Sequence, residues 1–189
     1  MRYAPEHNRA TRERILQAAS RLFREHGIAA VGLAKVMAEA DLTVGTFYTH
    51  FKSKEALLRE TLLRSLDARH EALQQELHGA DLEMAVRAYL SPEHRDEAGT
   101  GCPVAALASE VARHPRATRH TFASRNEPIL DALAAWLSSR QGAKVARADA
   151  AAFLGLLAGT LQLARATPDR AESDAILEAG VRAAIRLAC

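Results

Sequence analysis

Val36-Met37-Ala38-Glu39-Ala40-Asp41-Leu42-Thr43-Val44-Gly45-Thr46-Phe47-Tyr48-Thr49-His50-Phe51-Lys52-Ser53-Lys54-Glu55 reads as the end of one helix, a tight turn, a very short second helix and the capped start of a third. Leu33, Val36 and Met37 stand at i, i+3, i+4, which gives the first helix one buried face. Asp41-Leu42 breaks that pattern. Thr43 follows as an N-cap, its hydroxyl expected to accept from a backbone N–H near Thr46. Phe47 and Phe51 are four apart, so both rings turn to the core together.

The opposite face of the short helix carries Gly45, Thr46 and Thr49, with Val44 and Tyr48 along its edge. Gly45 is unfavourable inside a helix but lets the backbone approach another surface closely. Ser53 caps the third helix and puts Lys54 in its first turn, where the helix dipole disfavours a cation. That lysine therefore answers to something anionic outside the helix. A short helix pushed outward, small groups on its floor, and Tyr48, His50 and Lys54 able to hold phosphates suit the major groove of duplex DNA. Lys35, on the preceding helix, joins Thr43, Val44, Gly45, Thr46, Tyr48, Thr49, His50 and Lys54 as the candidate DNA-contacting set.

Charge follows the same division. Residues 1–54 hold nine Lys/Arg against five Asp/Glu, a net of +4, while residues 55–189 are at −2. The basic end is the end with the wedge, as phosphate neutralisation requires. A nonspecific architectural DNA binder would be basic throughout, and the larger part is not. Arg2, Arg9, Arg12 and Arg14 cluster before and on the first helix, where some could reach the DNA backbone or a minor groove.

The 189 residues are 48% hydrophobic, with few β-branched runs and six prolines, which predicts an all-α chain. The polar first ten residues give no signal peptide, and no apolar run approaches the ~20 residues of a membrane span. Cys102 and Cys189 are far apart and form no CxxC. The expected location is cytoplasmic, with no membrane partner and no cofactor. Helices are expected over Asn8–Glu25, the two of the wedge, Ser53–His78, Met84–Leu90, Cys102–His114, Arg116–Arg140, Arg147–Ala166 and Glu172–Leu187, nine in all. Pro128 predicts a kink near Asn126, and Ser91–Gly101 reads as a loop.

Residues Arg14-Ile15-Leu16-x-Ala18-Ala19-x-x-Leu22-Phe23, Gly27, Val36-Met37 and Thr43 to Phe51, with Ser53-Lys54-x-x-Leu57-Leu58, resemble the DNA-binding domain of TetR-type (TetR/AcrR) transcriptional repressors. The resemblance spans three helices and two caps. It implies that Tyr48, His50 and Lys54 grip the backbone and that Val44, Gly45 and Thr49 face bases. Gly32 departs from the pattern, standing where the family usually has a Ser or Thr cap. The expected organisation is a helix-turn-helix domain over 1–53 and a helical ligand-binding and dimerisation domain over 54–189.

The family further implies a homodimer on a palindromic double-stranded operator and a small-molecule inducer held among the helices between Met84 and Ala166. Ala148, Ala151, Ala152, Gly155, Ala158 and Gly159 let helices approach closely, with Leu154, Leu157, Leu161, Ile176, Val181, Ile185 and Leu187 as apolar bulk. Dimerisation through the last two helices follows. With aromatics at 5%, the pocket is expected from Cys102, Leu107, Phe122, Trp136 and Phe153 among Leu, Ala and Val. Pro103 places Cys102 at a helix N-cap, where a thiol becomes more acidic, so a thiol-responsive repressor is an alternative. A metal-responsive one would use Glu110, His114 and His120. A cysteine-dependent enzyme pairing Cys102 with His114 or His120 is the remaining rival, and neither a phosphate loop nor a nucleophile elbow supports it.

Overall fold

The computed structural model describes residues 5–188, and among them every regular element is helical. α1 (Pro5–His26), α2 (Leu33–Glu39) and α3 (Val44–His50) form an N-terminal bundle, from which α4 (Lys54–Leu77) leaves as a long rod. α5 (Leu82–Tyr89), α6 (Pro92–Asp96), α7 (Pro103–Val111), α8 (Arg116–Gln141), α9 (Arg147–Ala166) and α10 (Arg170–Ala188) follow. The nine expected helices are present. The tenth segment, α6, lies within the stretch expected to be loop. Ser91 Oγ accepts from the His94 N–H at 3.1 Å and Pro92 occupies the first turn, so Ser-Pro here starts a helix.

Gly27 ends α1 with φ +82°, and Gly142 ends α8 with φ +65°, both in the left-handed region that glycine enters without a Cβ clash. α8 is continuous across Pro128, so the proline does not end the helix. Arg2 and Cys189 lie outside the described side chains.

Two apolar cores share α4. The first gathers Ile15, Leu22, Phe23, Val36, Met37 and Phe47, closed by Leu57, Leu58 and Leu62 of α4 and by Leu107 and Val111 of α7. The second is built on Leu66 and Leu73, with Val86, Ile129, Leu133, Phe153 and Leu161. One rod therefore carries both, and polar ties reinforce the joint. Arg24 Nε donates to the Gly99 carbonyl at 2.6 Å, and the Ala29 N–H donates to Glu110 Oε2 at 3.0 Å. Glu55, in the first turn of α4, accepts from the Thr118 hydroxyl and lies 3.1 Å from His114 Nδ1. Burial pushes the Glu55 carboxyl up, but these hydrogen bonds outweigh it and hold the group below the usual range.

α9 and α10 meet where Gly180 faces Thr160, and a Cβ at Gly180 would collide with the threonine methyl and hydroxyl. Both residues are buried, so the clash has little room to relax. Gly180→Val is expected to destabilise the fold by about 1–3 kcal/mol, read as a lower denaturant midpoint. An unchanged midpoint would contradict this packing.

Candidate nucleic-acid interface

α3 is two-sided. Phe47 is fully buried and stacks with Phe51 at 5.6 Å between ring centres, while Tyr48 is 66% exposed and Val44 42%. Gly45 and Thr49 are exposed beside them, and Lys35 is exposed on α2. Of the sequence-predicted contact set, Lys35, Thr43, Val44, Gly45, Tyr48 and Thr49 are exposed, while Thr46, His50 and Lys54 are half-buried. The Tyr48 ring meets the edge of Phe47 at 5.2 Å, which orients it without covering it.

The turn that aims α3 is fixed locally. Asp41 takes φ +54°, a left-handed conformation that Asp tolerates better than most residues. The Leu42 N–H returns to the Met37 carbonyl at 2.8 Å, and Arg14 donates to the Ala40 carbonyl, satisfying the end of α2. Thr43 occupies the N-cap of α3 as expected, but its hydroxyl makes no bond to the helix backbone. It pairs instead with the Thr46 hydroxyl at 3.1 Å. Ser53 does cap α4, accepting from the Ala56 N–H at 3.1 Å.

Lys54 donates from Nζ to the Ile28 carbonyl at 2.6 Å, which anchors the ammonium at the edge of the α1–α2 turn with two donors left over. Burial and the Arg12 charge hold His50 below the ordinary histidine range, so its imidazole is neutral near pH 7. Two of the arginines grouped with the wedge have internal work. Arg12 pairs with Glu60 and lies 4.4 Å over the Phe51 ring, and Arg14 holds the α2 end. Arg9 is exposed.

α4, α5, α6, α8, α9 and the segment after α6 line a half-open cavity of about 790 Å³. Of the predicted pocket residues, Cys102, Trp136 and Phe153 line it. Leu107 does not, because its face of α7 packs into the N-terminal core. Phe122 lies between the two cores and is likewise not in the wall. Arg69, Glu76, Tyr89 and His94 line the cavity and were not singled out from the sequence. Arg69 and Glu76 come from α4, Tyr89 from α5 and His94 from α6, and only the aromatic Tyr89 on the short α5 offered a signal.

Cys102 is the N-cap of α7, as expected, and is buried in the cavity wall. Its backbone N–H donates to His94 Nε2 at 3.0 Å, and His94 Nδ1–H donates to the Tyr89 carbonyl at 2.6 Å, fixing the tautomer of a neutral ring. Burial keeps His94 below its ordinary range. Glu110 and His114 are drawn apart by their bonds to Ala29 and Glu55. Among the described residues no cluster of His, Cys, Asp or Glu is arranged to hold a metal. Nor, among them, is any helix long and apolar enough to cross a membrane.

Residues 15–61 match the family profile described as bacterial regulatory proteins, tetR family. Over 47 residues, 25% of this chain, the sequence is 47% identical to the uncharacterized HTH-type transcriptional regulator YerO of Bacillus subtilis, of which 16% is covered. Over 107 residues it is 28% identical to the HTH-type transcriptional regulator UidR of Escherichia coli, covering 56% of this chain and 54% of that one. The chain thus spans about half or less of these curated relatives. The fold superposes on a TetR-family transcriptional regulator from Agrobacterium tumefaciens with a TM-score of 0.73 at 25% identity, covering 93% and 97% of the two chains.

Proposed function

The chain belongs to the TetR family of bacterial regulatory proteins, and from that premise we propose that it is a homodimeric, ligand-responsive repressor of transcription. The observation that carries the reading is α3 itself, with Phe47 buried and Tyr48 projecting beside Val44, Gly45 and Thr49. Two such helices would enter successive major grooves roughly 34–36 Å apart on a near-palindromic operator. Tyr48, neutral His50 and Lys54 serve as backbone donors, while Val44, Gly45 and Thr49 meet base edges. Residues 1–53 act as the DNA-binding unit and 54–189 as the ligand-binding and dimerisation unit, in the bacterial cytoplasm.

The cavity supplies the switch. Glu97, Thr100, Gly101 and Cys102 form part of its wall, and Gly99, in the same turn, accepts from Arg24 of α1. Arg69 and Leu73 of α4 form another part, and α4 begins at Lys54. A ligand that displaces either wall therefore pulls on α1 through Arg24 or on α4, the rod that begins at Lys54. It can shift the equilibrium only by its differential affinity for the two states.

The test uses an operator recovered by selection from random duplexes and an inducer recovered by screening for its release. Inducer is expected to weaken operator binding by about 5- to 150-fold, and saturating operator must weaken inducer binding by the same factor. Equal inducer affinity with and without operator would rule this mechanism out.

A further inference from the structure

Resting on the reading of this cavity as the inducer site, we propose that its ligand is an uncharged, mainly apolar molecule bearing a carbonyl-type oxygen held by Tyr89 and Trp136. Tyr89 Oη and Trp136 Nε1 are buried without a hydrogen-bond partner, in residues that line the cavity. Trp136 is only 8% exposed, its Nε1 is buried, and Arg140 lies over the face of its ring at 4.1 Å. An indole N–H can only donate. Burial pushes the Tyr89 phenol far up and the neighbouring Cys102 thiol, a weak hydrogen-bonding partner, adds to this, so the phenol keeps its proton and donates too. Two buried donors, one with no acceptor and one with at most a weak thiol, are unfavourable. A ligand that brings an acceptor recovers what folding left unmade.

The rest of the wall decides the ligand's charge. Arg69 is the one arginine or lysine in the lining, and Glu76 already holds it by two bonds of 2.8 and 2.7 Å. Glu93 and Glu97, both exposed, add two more carboxylates. His94 has both ring nitrogens engaged and is neutral. A carboxylate or phosphate would meet one lining cation, already paired, and three acids, with Arg140 and Arg165 behind the wall engaged by the Ala80 and His94 carbonyls. A cation would be drawn to the exposed glutamates, where solvent screens the attraction, and would leave both buried donors unserved. Leu73, Val86, Ile129, Leu133 and Leu157 supply the remaining apolar contact. The volume lies within the usual range for small-molecule sites.

Three rigid probes of matched shape separate these effects: 9-fluorenone, fluorene, which lacks the oxygen, and 9-fluorenone-2-carboxylate. Each is titrated into the full chain by calorimetry and by the emission of Trp136, the only tryptophan. Fluorenone is expected to bind at least tenfold more tightly than either of the others. Tyr89→Phe should bring fluorenone down toward fluorene while leaving fluorene unchanged, a pattern that general loss of packing would not give. Fluorene equal to fluorenone, the carboxylate tightest, or no binding of any probe would each overturn the ligand class. Fluorenone bound as expected but without release of operator would instead count against the inducer role and leave the ligand class standing.

Discussion

Tyr48→Ala and Lys54→Ala are each expected to weaken operator binding by roughly 10- to 100-fold, equivalent to about 1–3 kcal/mol, without lowering thermal stability in the case of Tyr48. Tyr48 is 66% exposed and donates no hydrogen bond among the described residues, so its hydroxyl is available to a phosphate and its removal leaves the core intact. Lys54 differs, because its ammonium also ties α4 to the Ile28 carbonyl. Its loss should affect all DNA sequences alike and reduce the salt slope of binding by about one contact. Thr49 provides the contrast. Its hydroxyl donates to the Thr46 carbonyl at 2.7 Å, which leaves the oxygen's lone pairs free to accept, and the side chain is exposed. Thr49→Ala should change which sequence is preferred more than how strongly salt acts. Undiminished affinity in the Tyr48 and Lys54 variants, measured by anisotropy across a salt series, would remove the wedge from the binding site.

That wedge could be read from sequence because it is local. Within twenty residues the spacing of Phe47 and Phe51, the caps at Thr43 and Ser53 and the break at Asp41 specify which side of a seven-residue helix faces out. Even there, side-chain detail escaped the rules. Thr43 had two possible partners, a backbone N–H and the Thr46 hydroxyl, and took the second. Ser91-Pro92 was ambiguous in a related way, since the same pair can break one helix or open another. The cavity was legible only in part, because its wall is drawn from positions between 69 and 157 that no periodicity links. An apolar residue on α7 looks the same whether its face meets the cavity or the N-terminal core. Leu107 meets the core, and only the way α7 packs against α1 and α4 reveals it.

Gly159→Arg is expected to convert the proposed dimer to a monomer and to reduce affinity for a palindromic operator by roughly 10²- to 10⁴-fold, the advantage that joining two half-site readers confers. The apolar bulk expected at the interface is partly elsewhere. Leu154, Leu157, Leu161 and Val181 are buried within the protomer, so they hold α9 and α10 to the body instead of facing a partner. The exposed residues of α9 include Ala148, Ala151, Ala152, Gly155, Gly159 and Leu163, the last 64% exposed, beside Arg147 and Asp149 in its first turn. On α10 the outward residues include Ala171, Ala175, Ala179 and Leu187. Within the protomer a Cβ at Gly155 or Gly159 would meet nothing within 4 Å. Glycine lowers helix stability there by about 1 kcal/mol relative to alanine, and no contact inside the chain compensates. Close approach by the same face of a second copy would. Gly155 and Gly159 also line a groove of about 640 Å³ between α7, α8 and α9, which a second copy could enter. Because arginine at 159 has open space in the protomer, its helical content and folding should survive while the interface does not. Sedimentation of Gly159→Arg as a dimer at micromolar concentration, with operator affinity unchanged, would place the interface on another face.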